Sequence, residues 1–240
     1  MSFNQSNRDF WKQRATQWGD DANGSWQDDY MRELEMEALW QLLPCREGSL
    51  AVLDVGAGPG HMVDELNGDP QVRCTGIERE LIWTLDHKQV YQHEALPFLQ
   101  VCEDNTYDLA YCVRVLINMP HSEQRAVLKE MCRVAKRVVC IEEVAGGRKR
   151  LNGVRTALGL PPLQAQEFNK PCKQSLFKGF ETESLGDLYY LLTRAARDLI
   201  DDPSTIGYNG RYHLQASALD ESYRLMTPIS PIRVFWKDTP

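Results

Sequence analysis

The run Val52-Leu53-Asp54-Val55-Gly56-Ala57-Gly58-Pro59-Gly60 constrains the fold more than any other stretch of the chain. An apolar strand breaks off at three alternating glycines, and a helical pattern from His61 to Leu66 follows at once. Strand, tight turn and helix start form the arrangement that brings backbone N–H groups and a positive helix end against a ligand. Gly56 and Gly58 can take backbone conformations closed to other residues, and without a Cβ they let a ligand approach the main chain. A second apolar strand, Val72 to Ile77, ends at Glu78, about twenty residues on. In a doubly wound sheet, an acidic residue there can accept both ribose hydroxyls. The motif is not the dinucleotide fingerprint G-x-G-x-x-G, because its third glycine would fall at His61.

What is written instead, Asp54-x-Gly56-x-Gly58-x-Gly60, resembles motif I of class I S-adenosylmethionine-dependent methyltransferases. Glu78 fits motif II of that superfamily. Gln92-His93-Glu94-Ala95-Leu96-Pro97-Phe98 is similar to the loop after its third strand, often G-D-A-x-x-L-P-F. Tyr107 to Val113 resembles motif IV, and Val138 to Glu143 resembles strand five, after a helical pattern from Ser122 to Ala135. The resemblance spans residues 50 to 143. It implies an α/β, Rossmann-like seven-stranded class I methyltransferase fold with S-adenosyl-L-methionine as cofactor. One departure is visible: the family's L-K-P-G-G turn before strand five is replaced by Arg133-Val134-Ala135-Lys136-Arg137, which predicts a tighter connection.

A chain of 240 residues has room for one α/β domain with a sizeable core. Its net charge of −7 argues against a nucleic-acid groove, which needs a basic stripe, and Arg148-Lys149-Arg150 reads as a solvated helix start. The seven cysteines form no C-x-x-C pair and no metal-ligand spacing; Cys112 and Cys140 fall inside central strands, where cysteine behaves as a small hydrophobe. The polar N-terminus carries no apolar signal core, and no apolar run approaches the ~18 residues of a membrane span. These features predict a cytoplasmic protein with reduced thiols and no membrane partner.

Residues 1–47 read as a helical arm. Met31, Leu34, Ala38, Leu39 and Leu42 recur at helical spacing, and Pro44 closes that helix. Upstream lies an aromatic and basic stretch, Phe10-Trp11-Lys12-Gln13-Arg14-Ala15 with Trp18. It either packs on the sheet or, like N-terminal segments in the family, forms a lid over the cofactor. As a lid, it would set Arg14 against the methionine carboxylate and Trp11 or Trp18 against the sulfonium. Residues 48–240 form the methyltransferase domain, with the alternation strand, helix, strand, helix, short strand, loop, strand, helix, strand up to residue 143. Beyond it we expect a helix from Arg150 to Leu160 stopped by Pro161-Pro162, strand six near Leu176 to Phe180, a helix from Leu185 to Leu199, and a final strand Ile232 to Trp236. The long stretch between the last two strands suggests a substrate cap drawn from residues 146–230.

By resemblance, Gly56, Ala57, Gly58 and Gly60 shape the cofactor loop, Asp54 is the motif I carboxylate, Glu78 faces the ribose, and Arg79 is a further cofactor-binding residue. Gln92 stands where the family usually has an Asp on the adenine amino group, with Glu94 as the alternative. Ala95 or Leu96 lines the adenine pocket, and Val113 ends strand four beside it. Arg114, His121 and Glu143 are the candidate catalytic residues, with Asn152, Arg155, Tyr189 and Arg194 nearby. Three arginines at one mouth would suit a phosphate or carboxylate on the acceptor. His121 can equally sit at a helix start and Tyr189 in the core. In-line methyl transfer chiefly demands alignment, which can supply ~7–11 kcal/mol, with a general base only for a hydroxyl nucleophile. The expected reaction is O- or N-methylation of a small polar acceptor, a sugar or related metabolite. Alternatives are a protein or peptide methyltransferase, a non-catalytic cofactor-binding subunit, and, more distantly, a nicotinamide-dependent dehydrogenase. A small-molecule acceptor is the expected partner, with a homodimer compatible.

Overall fold

A computed structural model of the chain describes residues 3–19, 21, 29–45, 48–157, 159–162, 169–185 and 232–239. Five parallel strands run through its centre: β1 (Leu50–Val55), β2 (Val72–Glu78), β3 (Val90–Gln92), β4 (Leu109–Val113) and β5 (Arg137–Glu143). Two further strands, β6 (Glu181–Ser184) and β7 (Ile232–Asp238), pair antiparallel with each other, and β7 pairs antiparallel with β5. The spatial order is β3-β2-β1-β4-β5-β7-β6.

Alternation along the strands sets the layers, because successive side chains point to opposite faces. Val52, Tyr111 and Val139 bury with Met36 and Leu39 of α2 (Asp29–Leu42) and with Val63 and Leu66 of α3 (His61–Asn67). Their neighbours Leu53, Cys112 and Cys140 bury on the other face, with Leu99 of α4 (Ala95–Val101) and with Val127 and Met131 of α5 (His121–Val134). Two-sided burial explains why the parallel strands read as continuous apolar runs. The chain order reverses between β1 and β4, so a crevice opens at their carboxyl ends, where α/β sheets bind ligands. An N-terminal helix, α1 (Phe3–Trp18), lies at that end.

The α5–β5 connection is as tight as its sequence predicts, with only Ala135 and Lys136 between the two elements. Four expectations need correction. The crossover from β2 to β3 holds a 3-10 turn, Leu81–Trp83, in place of a helix, and the stretch after β3 that read as a loop is α4. Pro97 hides that helix from a sequence reading, yet it sits in the first turn, where a missing N–H is harmless. Strand six is not at Leu176–Phe180. Phe177 instead stacks on Phe235 of β7 with centroids 3.8 Å apart, which draws residues 174–177 into a 3-10 turn and shifts β6 to the exposed, polar Glu181–Ser184. The helix expected from Arg150 is α6 (Gly147–Ala157), ended by Gly159 in the left-handed conformation, before Pro161 is reached. The helix expected over Leu185–Leu199 lies, from residue 186 on, outside the described residues with Tyr189 and Arg194, and so do residues 158, 163–168 and 186–230 of the expected cap. No helix among the described residues is long and apolar enough to cross a membrane.

Candidate active site

The glycine loop is the floor of the crevice. Gly56, Gly58 and Gly60 all have positive φ, at 80°, 55° and 88°, a region that side-chain-bearing residues rarely enter. The N–H groups of Gly56 and Ala57 both donate to the Ile77 carbonyl, folding the loop back onto the end of β2. Gly58 N–H donates to Glu78 Oε2 at 3.0 Å, and the other carboxylate oxygen accepts from Arg79 N–H and Glu80 N–H at 2.7 and 2.9 Å. Burial raises the Glu78 carboxyl above its ordinary range against the pull of these donors. A carboxylate has about four acceptor positions, so Glu78 keeps capacity for a further hydroxyl. A Cβ on Gly56 would lie 2.5 Å from the Val115 side chain, so the glycine lets the loop after β4 close against the floor.

Asp54 lies beneath this loop, 3% exposed, on the same sheet face as Tyr111. Tyr111 donates its hydroxyl to Asp54 Oδ2 at 2.7 Å, and Cys74 Sγ lies 3.9 Å from that hydroxyl. Burial pushes the Asp54 carboxyl up to about 7; the Tyr111 hydrogen bond opposes the rise and the nearby Glu78 charge adds to it. Asp54 thereby ties the end of β1 to β4, and Val113 closes β4 one residue before the site's second loop.

That second loop, residues 114–120, is held by groups from four elements. Arg114 opens it with φ 54° and forms a largely buried ion pair with Glu35 of α2. Glu142 of β5 accepts from the N–H groups of Leu116 and Ile117 at 2.7 and 3.2 Å. Gln124 of α5 donates to the carbonyls of Leu116, Met119 and Lys170. Asn7 of α1 donates to the Asn118 carbonyl at 2.9 Å. Burial drives the Glu142 carboxyl up to about 8, against the Leu116 and Ile117 donors and the Arg114 charge. Glu35, Glu142, Gln124 and Asn7 escaped the sequence reading. For Glu142 the strand period holds the signal: with Cys112 and Cys140 buried on the α5 face, residue 142 must point there too, toward the loop, and Glu143 must point away.

α1 roofs the crevice. Asn7 also accepts from Arg79 Nη2 at 2.9 Å, Arg8 pairs with Glu94 at 2.7 Å, and Trp11 packs edge-on against Trp83. The helix therefore spans the ends of β2, β3 and β4 at once. Arg14 and Trp18 are half-buried on α1, with the Arg14 guanidinium 5.9 Å from the Phe10 ring centroid. Gln92 is exposed opposite Glu78 in the β2–β3 register, its amide 3.4 Å from the Arg79 carbonyl, and Ala95 begins α4 beside Glu94.

The candidate catalytic residues separate. His121 is exposed at the start of α5, with Nδ1 3.1 Å from Gln124 Oε1. Since the Gln124 amide nitrogen donates to three carbonyls, its oxygen accepts from Nδ1–H, which leaves His121 Nε2 as a proton acceptor. Glu143 is engaged by the Arg148 guanidinium at 3.0 and 3.3 Å. Arg155 is buried and donates to the Pro161 carbonyl, and Asn152 accepts from Thr156 within α6. Among the described arginines of the expected mouth, only Arg114 belongs to the crevice loop.

Residues 53–138 match the family model described as a methyltransferase domain. No curated protein sequence matches the chain. Among solved structures, an S-adenosylmethionine-dependent methyltransferase from Archaeoglobus fulgidus shares the fold at 14% identity, over 87% of this chain and 94% of that one, with a TM-score of 0.56. Geranyl diphosphate C-methyltransferase from Streptomyces coelicolor A3(2) aligns at 13% identity over 87% and 81% of the two chains, TM-score 0.55. Magnesium protoporphyrin IX methyltransferase from Synechocystis PCC 6803, solved with bound S-adenosylhomocysteine, aligns at 13% identity over 88% and 84%, TM-score 0.50.

Proposed function

We propose that this chain is a class I S-adenosylmethionine-dependent methyltransferase that methylates a small polar acceptor at oxygen or nitrogen in the crevice beneath α1. The observation that carries this reading is the convergence of the three left-handed glycines, the Glu78 carboxylate and the loop 114–120 at the point where the strand order reverses. Residues 1–47 act as the N-terminal arm, with α1 as its lid, and residues 48–240 as the methyltransferase domain.

When bound, S-adenosylmethionine supplies a methyl group on a sulfonium, already activated for displacement. Gly56, Ala57, Gly58 and Gly60 present main chain to the ligand, and Glu78 accepts from its sugar. Arg79, Gln92, Glu94 and Ala95 flank the base. Asp54 acts at one remove, locking β1 to β4 through Tyr111. The loop 114–120 is fixed by Glu35, Glu142, Gln124 and Asn7 before an acceptor arrives, so little ordering is left for the reactive complex. α1 excludes water, with Trp18 and Arg14 toward its carboxyl end. For a hydroxyl acceptor, His121 Nε2 takes the proton; Glu143 is the weaker candidate because Arg148 occupies its carboxylate. An amine acceptor enters neutral and needs no such base.

Small-molecule acceptors occur on this fold, as in the Streptomyces geranyl diphosphate enzyme, and the reading extends to a sugar or related metabolite as the acceptor. The test pairs two measurements. Calorimetric binding of S-adenosylhomocysteine should be detectable, with no response to NAD. Methyl-labelled S-adenosylmethionine incubated with fractionated cell extract should then label the small-molecule pool. Label confined to protein would overturn the small-acceptor reading in favour of a protein or peptide substrate.

A further inference from the structure

We infer that Asn7 is a positioning residue that couples the cofactor side of the crevice to its acceptor side. The inference rests on the methyltransferase reading above. Asn7 is 2% exposed and occupies the buried stripe of α1 that continues to Ala15. A carboxamide buried there is costly unless both of its ends are paired. Both are paired, and to opposite halves of the site. Its Oδ1 accepts from Arg79 Nη2 at 2.9 Å, next to Glu78, and its Nδ2 donates to the Asn118 carbonyl at 2.9 Å in the loop after β4. Glu80 holds the same guanidinium through Nε at 3.0 Å, so Arg79 is presented to Asn7 in a fixed orientation. The amide's polarity makes the bridge directional: only a group with an acceptor on one side and a donor on the other satisfies a guanidinium and a carbonyl together. Ordering of Arg79 by a bound nucleoside is thus passed through one side chain to the backbone that faces the acceptor.

The test is hydrogen–deuterium exchange with and without S-adenosylhomocysteine, alongside calorimetry, on wild type, N7A and N7D. In wild type the ligand should slow exchange in both residues 5–15 and residues 115–121. N7A should weaken ligand binding about tenfold and abolish the ligand response of residues 115–121. N7D keeps the Arg79 partner as an ion pair but turns an oxygen toward the Asn118 carbonyl. It should therefore bind the ligand within a few-fold of wild type, protect residues 5–15, and leave residues 115–121 unresponsive. A structural role alone would not split the two segments in this way. If residues 115–121 respond to ligand in both variants as in wild type, the coupling is overturned. If folded wild type fails to bind S-adenosylhomocysteine at all, the methyltransferase-site reading falls first and this inference with it.

Discussion

Glu142 should make this protein less stable as pH rises through the neutral range. The carboxylate is fully buried, and its solvation comes from the Leu116 and Ile117 N–H groups and two thiols, Cys112 Sγ at 3.7 Å and Cys172 Sγ at 4.0 Å. Burial raises it from an unfolded value of 4.5 to about 8 in the folded chain. Between those values the folded state holds a proton that the unfolded state has released, so stability falls with increasing pH by about 1.4 kcal/mol per unit. Across the window the loss is on the order of 5 kcal/mol, absent below about pH 4.5 and complete above about pH 8. Asp54, raised to about 7, pulls in the same direction, so the measurement has to isolate Glu142. Glu142→Gln does this. Its amide keeps one acceptor but turns an NH2 toward the other backbone donor, costing about 1–3 kcal/mol at any pH. Urea unfolding should therefore find E142Q the less stable protein near pH 4.5 and the more stable one near pH 8.5. A wild-type-minus-variant difference that stays constant between those pH values would refute the reasoning.

Three further outcomes follow from the site. Glu35→Ala leaves the Arg114 guanidinium largely buried without its carboxylate and should cost about 3–5 kcal/mol in urea unfolding; E35A/R114L should recover part of the loss. Gly56→Ala meets both a left-handed φ of 80° and the Val115 side chain at 2.5 Å. It should lower stability by about 1–3 kcal/mol, and G56A/V115A should regain the steric share but not the backbone strain; equal midpoints for the single and double variants would contradict this. Glu78→Gln should weaken S-adenosylhomocysteine binding roughly tenfold or more by calorimetry, because the loss of charge weakens both the sugar contact and the grip on Gly58.

The sequence by itself determined the frame. Uninterrupted apolar strands ending in D-x-G-x-G-x-G and then Glu78 can pack only as the parallel, two-faced core seen here, because the glycines and the acid have to meet at adjoining strand ends. The tight passage from α5 into β5 was legible for the same local reason. Tertiary structure decided how the polar groups are spent. The sequence reading brought forward Glu143 and passed over Glu142; the pleat, fixed by which face Cys140 buries, assigns Glu142 to the crevice loop and Glu143 to Arg148. Arg155 looked available for an acceptor but is turned back onto the Pro161 carbonyl. Asn7 and Glu35 gave no local sign, since their partners, Asn118 with Arg79 and Arg114, are distant in the chain. Periodicity and turn chemistry act over a few residues and are written locally; pairing of buried polar groups depends on which elements come to lie side by side, and that exists only once the sheet and its helices are assembled.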